Sequence, residues 1–430
     1  MIKRSIFMTF LLSLSIFPGA YAEETSPIPV VDLETNGSSS DYNGTLLGDW
    51  EGRRSTMIAH GYDLKVVYKL DLISKVTTPK RKIYGLDNLD IKLSLDGEKI
   101  AGLKGASGLL YILSNRGGKP ALKNDRLPHG MDNIETPNNA NTTKIYQAWL
   151  QQTLLDGRLS VLTGLYDFNS EFYATESSSI FIHPTFGVGA EMAGSGLNGP
   201  SIFPTTSFAV RVKAEPAPGY YVQAVTLDGV PGDPDNPHGT HIQFNKGDGA
   251  LNVIEAAIPL GAAESAHDNK LALGVWRYTA RFDDALDLDI NSNPVKRISH
   301  GYYAMMEKVL SYKPGSEEES VSSFVRAGKN DGDTTQFDFA WSAGLVFSGL
   351  FEGRAQDTLG VAIAQERNAV KYRTASGSAV SHEQSFELSY RYQAMTGMVL
   401  QPVAQYLLNH SNDPTQNKTW WLGMRFEASF

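Results

Sequence analysis

Two carboxylates, Glu171 and Glu176, stand five residues apart in a stretch crowded with rings: Phe168, Phe172, Tyr173, Phe181 and Phe186, with Asp167 and Glu191 alongside. A pair of carboxylates is the apparatus of glycoside hydrolysis, one group acting as acid and the other as base or nucleophile. The same residue types also hold a sugar without cleaving it. Carboxylates make charge-assisted hydrogen bonds to hydroxyls, and aromatic faces pack against the apolar face of a pyranose. Arg211, Arg277 and Arg425 supply the complementary cations. A second group, Asp233, Asp235, His238, His241 and Asp248, has the donor types of a metal site. It sits among Gly, Pro and Asn, the composition of a solvated turn-rich loop, so no metal is assigned there.

No enzyme scaffold surrounds the carboxylates. The chain has no Gly-x-Ser-x-Gly, no His-Glu-x-x-His and no cysteine. The glycines of Gly187–Gly196 lack the strand-to-helix setting of a dinucleotide site. The reading is therefore a binding or permeation function without a cofactor, with an outer-membrane hydrolase kept as the less favoured alternative.

The elements that must position these side chains alternate with a period of two. At the C-terminus Trp420, Leu422, Met424, Phe426, Ala428 and Phe430 share one face, and Trp421, Gly423, Arg425, Glu427 and Ser429 the other. Tyr62 to Leu72, Leu89 to Leu95 and Phe386 to Tyr392 alternate in the same way. A tilted strand crosses a membrane in about 9–11 residues, and about 16 such segments fit between residues 61 and 430. Short connections such as LLDG, EPAPG and AMT follow even-numbered segments, while long ones follow odd-numbered segments. That asymmetry suits short periplasmic turns and long outer loops. The fold class expected is all-β: a transmembrane antiparallel β-barrel of about 16 strands in the outer membrane of a Gram-negative cell. Pro402 falls inside one predicted strand, where a local break or bulge is expected.

Ahead of the barrel, residues 1–22 read as a signal peptide: Lys3 and Arg4, an apolar run from Ile6 to Phe17, then Ala20-Tyr21-Ala22. Residues 23–60 read as a polar leader followed by a short periplasmic helix, capped by Asp49 and ended by Gly61. The formal charge is -9; loss of the signal's two cations leaves 36 basic against 47 acidic residues, or -11. Phosphates would be repelled, which argues against nucleic acid as a partner.

With the apolar faces turned to lipid, counting along the strands places Arg211, Arg277 and Arg425 near mid-depth on the inner wall. Lys92 is expected close by, Arg281 higher, and Trp149 pointing inward. The longest connection, 167–205, is too long for a plain loop. Folded into the lumen it buries its rings and narrows the bore. Glu171 and Glu176 would then face the three arginines across a constriction lined by Trp149, Phe172 and Tyr173. Opposed charges of this kind hold polar solutes in a transverse field.

The segments LLGDWEGRR, YQAWLQQTLLDGRLSVLTGLYDFNSEFYATESSSIFIHPTFG, FAVRVKAEPAPGYYVQAVTLDGVPGDP and the closing QPVAQYLLN and WWLGMRFEASF carry a resemblance to the carbohydrate-selective outer-membrane porins of the OprB family. The resemblance runs from Leu46 through nearly all of the mature chain. Glu51 departs from the family's glycine after the Trp, and Leu165 stands where a lysine opens the long loop. The resemblance implies a 16-stranded barrel passing small carbohydrates by diffusion, with a general or ion-preferring porin as the runner-up. The partners expected are mono- or small oligosaccharides and outer-membrane lipid, and the expected oligomer is a homotrimer.

Overall fold

In the computed structural model, the described residues are 44–430 apart from 78–81, 121–129, 137–139, 262–268, 314–318 and 411–417. The expected signal peptide and most of the expected leader lie outside them.

Alternating apolar residues give strands that can bury one face in hydrocarbon only if every backbone group is paired, which a closed barrel achieves. Eighteen strands form. The first nine are β1 (Tyr62–Lys75), β2 (Ile83–Asp96), β3 (Ala106–Arg116), β4 (Thr142–Leu154), β5 (Leu159–Tyr166), β6 (Ser207–Ala217), β7 (Tyr220–Asp228), β8 (Ala250–Pro259) and β9 (Lys270–Tyr278). A short hairpin, β10 (Phe282–Leu288) with β11 (Pro294–Arg297), stands apart from the barrel. The barrel resumes with β12 (His300–Tyr312), β13 (Ser320–Asn330), β14 (Phe337–Ser348), β15 (Thr358–Asn368), β16 (His382–Met395), β17 (Met398–Leu408) and β18 (Lys418–Ser429). Each barrel strand pairs antiparallel with its sequence neighbour, β9 pairs with β12, and β1 pairs with β18 to close a barrel of sixteen.

The seam is locked at the end carrying the termini. Phe430 donates its N–H to Val66 O at 2.9 Å, and Leu46 N–H reaches Ser429 O at 2.8 Å. Helix α1 (Arg53–Ala59) sits beside this seam. Its Arg54 is buried, donates to Phe430 O at 2.5 Å and lies over the Trp50 ring at 4.2 Å. The helix is capped by Gly52 and not by the expected Asp49, whose carboxylate lies outside the helix and accepts from Ser55 N–H at 2.7 Å. Glu51 adopts φ 59°, left-handed backbone that suits a glycine better, at the position where the resemblance expects one.

Two local irregularities matter for the bore. A bulge in β4 shifts its register against β3 between Tyr146 and Gln147, so Tyr146 and Gln147 are both buried and Trp149 follows on the inner face. Pro402 points outward and pairs in register with Met424. On its other side the ladder to β16 is interrupted between Ser389 and Tyr392 without a register shift, so the expected irregularity is a break and not a bulge.

The connection 283–299, expected as plain loop, carries the β10–β11 hairpin. The hairpin is clamped by α2 (Val370–Ser376), a helix in the connection after β15. Lys371 on this helix bonds Asp284 at 2.5 Å, and Asp287 and Asp333 at 2.7 Å each. Arg297 adds a contact to Asp284 at 3.2 Å. Desolvation opposes the Asp284 charge, but the Asp287 N–H and the Lys371 ammonium outweigh it and hold the carboxyl well below the usual carboxylate range. Desolvation likewise opposes the Lys371 charge, and its three carboxylates outweigh it and hold the amine above its usual value.

Two outcomes follow. A depressed carboxyl contributes stability that is full above its unfolded pKa of about 4 and is lost as pH falls through the lower folded value. The raised amine contributes fully below its unfolded value of about 10.4 and is lost only as pH rises through the higher folded value. The clamp is thus intact from about pH 4 to about pH 10. Lys371→Met should expose 282–297 to protease at neutral pH while the barrel stays heat-modifiable; unchanged cleavage would show that the ion cluster does not hold the hairpin. On the lipid face, Ile91→Arg should cost about 2–4 kcal/mol in a urea folding titration, as for a cation at the midplane. The inward-facing Lys92→Arg should be near neutral, and equal tolerance of both would reverse the face assignment.

Candidate pore constriction

Between β5 and β6 the chain turns back into the bore. Asp167 caps the first turn, accepting from Asn169 N–H at 2.9 Å and from the Tyr146 hydroxyl. Phe168, Phe172 and Tyr173 are each at most 1% exposed. Tyr173 stacks on Tyr303 of β12 with centroids 3.9 Å apart and planes 6° from parallel. Phe181 packs on Phe186 at 4.9 Å and on Phe324 of β13 at 5.9 Å. Phe168, Phe172, Tyr173 and Tyr303 share an apolar core with Ala272, Trp276 and Tyr278 of β9, and Phe181, Phe186 and Phe324 form a second one.

A loop inside a barrel must satisfy its backbone N–H groups without a ladder. Three wall carboxylates do this. Glu255 on β8 accepts from Tyr173 N–H at 2.9 Å, Tyr221 at 2.8 Å, Gln223 at 3.0 Å and Tyr303 at 2.7 Å. Glu307 on β12 accepts from Glu176 N–H at 3.1 Å and from the Ser177 N–H and hydroxyl. Glu387 on β16 accepts from Ile182 and His183 N–H, each at 2.8 Å. Donors on the wall meet loop carbonyls in return: Arg326 reaches Gly187 O at 2.5 Å, Asn330 reaches Glu191 O at 2.6 Å, and Gln401 reaches Ile180 O at 2.7 Å.

The cations are paired. Arg211 is fully buried and grips Glu171 in a fork, Nε to Oε2 at 2.8 Å and Nη2 to Oε1 at 3.0 Å, with Gln151 Oε1 at 2.7 Å. Arg425 holds Asp71 of the adjacent strand at 2.6 Å. It also reaches Asp132 at 3.2 Å and Asn133 at 2.7 Å on the connection after β3. That connection folds inward too: Asn133 N–H bonds Ile182 O at 2.7 Å, joining the two loops.

The expected constriction is therefore redrawn. Glu171 and Arg211 meet, but as a sealed pair. Arg425 faces inward and takes its partners from a different loop. Arg277 is corrected: it lies on the outer face of β9 with Leu273 and Val275, and is exposed. The bore side of β9 is itself apolar because the loop packs on it, so hydrophobicity marks both faces and alternation cannot tell them apart. Arg281 lies beyond β9 and is exposed. Phe172 and Tyr173 are also corrected, since they are buried in loop packing and cannot stack on a solute. Glu176 is exposed on the loop, and Trp149 is half-buried on the inner wall. The chain hides Glu171 in its ion pair, so Glu171 and Glu176 are not presented together as an acid and base. In the 228–249 connection, His238 Nδ1 lies 3.0 Å from Asn141 O and His241 Nε2 lies 2.7 Å from His238 O. Among the described residues no group of three or more His, Asp or Glu is arranged to hold a metal.

Half-exposed inward groups remain on the wall that the loop does not cover. Lys69 on β1 lies 3.5 Å from Asp90 on β2, and Lys92 lies over the Tyr111 ring at 4.8 Å. Arg391 on β16 pairs with Glu427 on β18 at 3.0 Å. The signal that could have found Glu255 and Glu307 is the lone acid in the middle of an otherwise alternating strand, whereas Glu387 shares β16 with Glu383.

Sixteen antiparallel strands closed around a bore that is narrowed by its own anchored loop define a diffusion pore of the outer membrane. The model of the carbohydrate-selective porin, OprB family, matches residues 80–430, and the chain belongs to that family. It is 27% identical over 342 residues to Porin B of Pseudomonas aeruginosa, covering 74% of this chain and 73% of that one. It is 22% identical to the putative porin QuiX of Acinetobacter baylyi, covering 90% and 93%. The high-pH structure of Pseudomonas putida OprB superposes with a TM-score of 0.79 at 21% identity, over 92% of this chain and all of that one. The protein is thus a carbohydrate-selective porin, an integral barrel of the Gram-negative outer membrane.

Burial changes what Arg211 is for. Water cannot replace it, so Arg211→Ala strands a buried Glu171 charge and should cost about 3–5 kcal/mol in a urea titration. Arg211→Met with Glu171→Gln should cost much less. A single variant as stable as wild type would mean that the pair is solvated.

Proposed function

We propose that sugars pass along the uncovered wall of β1 and β2, between the half-exposed Lys69 and Lys92, the half-buried Trp149 that packs from β4 on the edge of the loop's core, and the exposed Glu176 of the loop. Family membership supplies the solute class. The observation that carries the path is the contrast in exposure: the Arg211–Glu171 and Arg425–Asp71 pairs are sealed, while these four side chains are half-exposed or exposed. Two ammonium groups and a carboxylate make charge-assisted hydrogen bonds to hydroxyls, and an indole face offers an apolar platform for a pyranose. Nothing in this path needs energy input or a covalent step. Residues 1–22 we assign as the export signal that delivers the chain to the outer membrane.

The test is single-channel current in a planar bilayer with added glucose. Each lost charged hydrogen bond is worth about 1.5–3 kcal/mol before water takes its place. Lys92→Met and Glu176→Gln should therefore each weaken sugar block several-fold, and Trp149→Ala should shorten the blocked state. Lys92→Met should also move the reversal potential in a salt gradient toward cation preference, and Glu176→Gln toward anion preference. Unchanged sugar block in all three variants would remove this wall from the sugar path. Shifted ion selectivity with no sugar block in wild type would instead support the ion-preferring reading.

A further inference from the structure

The inner wall of β15 and β16 holds two acids that neither the loop nor the sugar path uses. Glu366 on β15 and Glu383 on β16 stand directly opposite each other in the ladder. They are 2% and 5% exposed. Like charges directly opposite on neighbouring strands repel. Glu255, Glu307 and Glu387 collect donors from the loop and the wall. Glu366 and Glu383 do not: neither side chain bonds or pairs with another described residue, and Glu366 Oε2 and Glu383 Oε1 are buried without a partner. On its other side Glu366 faces Ala340 of β14, so that strand offers no cation at this level.

A third carboxylate reaches the same place from the inward loop. Glu191 is fully buried; its Oε1 accepts from the Tyr173 hydroxyl at 3.0 Å, and its Oε2 has no partner. A Cβ at Gly189 or at Gly328 of β13 would collide with this carboxylate, so two glycines make its seat. Gly189 and Tyr173 border a small cavity that Glu366 also lines, with room for about one water. Arg326 is the cation of that lining, and its guanidinium is spent on Ser342 Oγ at 3.1 and 3.2 Å and on Gly187 O at 2.5 Å. Three carboxylates against one guanidinium leave two negative charges uncompensated. Buried charge at this density is sustained by pairing or by a metal ion.

We propose that Glu366 and Glu383 bind a calcium ion beside this cavity, with Glu191 supplying further negative charge from the loop. The wall pair provides the protein ligands. Among the described residues no third acid or histidine is arranged to join them, so water completes the shell. A set of oxygen donors selects a hard cation. Calcium accepts an irregular, partly hydrated shell, where magnesium demands a near-ideal octahedron. The bound ion removes the repulsion between β15 and β16 and draws the loop to the wall through Glu191. The site lies near the strand ends away from the termini, since β15 ends at Asn368 and β16 begins at His382.

The experiment is terbium luminescence together with thermal unfolding, on the full folded barrel in detergent after EDTA treatment. Trp341 lines the cavity, so exciting indole should light terbium bound there. Calcium at about 0.1–1 mM, the range of weakly charged extracellular sites, should displace it. Calcium should also raise the temperature at which the barrel loses its heat-modifiable form. Glu366→Gln with Glu383→Gln keeps the shape and removes the charge, and should lose both the emission and the calcium shift. Trp341→Phe should lose most of the emission and keep the shift. Asp283→Asn, at an exposed acid of the hairpin, should keep both. Emission and shift retained by the Gln pair, or lost in Asp283→Asn, would place the ion elsewhere and overturn the site. Undiminished emission from Trp341→Phe would do the same, and needs no change to the acids. Wild type with neither emission nor shift, but with a protonated-carboxyl infrared band that the Gln pair lacks, would mean that protons alone neutralise the acids, and also overturns it.

Discussion

The constriction depends on backbone N–H groups of the inward loop finding carboxylates on the wall. The segment between β5 and β6 has no ladder of its own, and a buried unpaired amide costs about 1–3 kcal/mol. Glu255, Glu307 and Glu387 stand on three separate strands and take up amides from Tyr173 to His183. Each carboxylate keeps its charge acceptable by collecting donors, and in Glu255 those donors are four neutral groups with no cation among them. Carboxylate and loop thus solve each other's desolvation problem. Either one alone would be an expense the bore could not sustain.

With the amides fixed, the rings follow. Tyr173 can lie flat on Tyr303 because its N–H and the Tyr303 hydroxyl are held by the same Glu255 carboxylate. Phe181 reaches Phe324 because Ile182 and His183, next in the chain, are pinned on Glu387. The pairing of Arg211 with Glu171 sits at the start of the same path and adds a strong ion pair between loop and wall. The loop is rigid through point attachments spaced along it, which regular structure would otherwise supply.

Much of this was legible in the sequence, and the failures have a common physical cause. The sixteen strands, the short and long connections and the inward Lys92, Trp149 and Arg425 follow from a period of two and from loop length. Arg277 failed because β9 has an apolar bore face, made so by the loop packed on it. Alternation assumes a wet lumen, and here the lumen is partly a protein core. Phe172 and Tyr173 failed for the same reason, read as solute platforms when they are core residues. The bulge at Tyr146 adds a change of phase that no pattern of residue types announces. The wall glutamates were overlooked because an acid inside an alternating strand reads as an ordinary lumen-facing residue, and its part as acceptor for loop amides shows only once those donors are in place.

Charge in this barrel is divided between two tasks, and exposure tells them apart. Arg211 and Arg425 are each at most 5% exposed and end on carboxylates. Their carboxylate partners fix their geometry, so they set the shape of the bore. Lys69 and Lys92 are only half-buried, and a cation open to water can exchange a water for a sugar hydroxyl at little cost. A pore needs both kinds. If every cation were sealed, the bore would have a shape and no affinity. If every cation were wet, the loop would lose its anchors and the bore its shape. Selectivity can then drift through Lys69 and Lys92 on the half-exposed wall of β1 and β2 without disturbing the loop, because neither is among the residues that hold the loop's backbone in place.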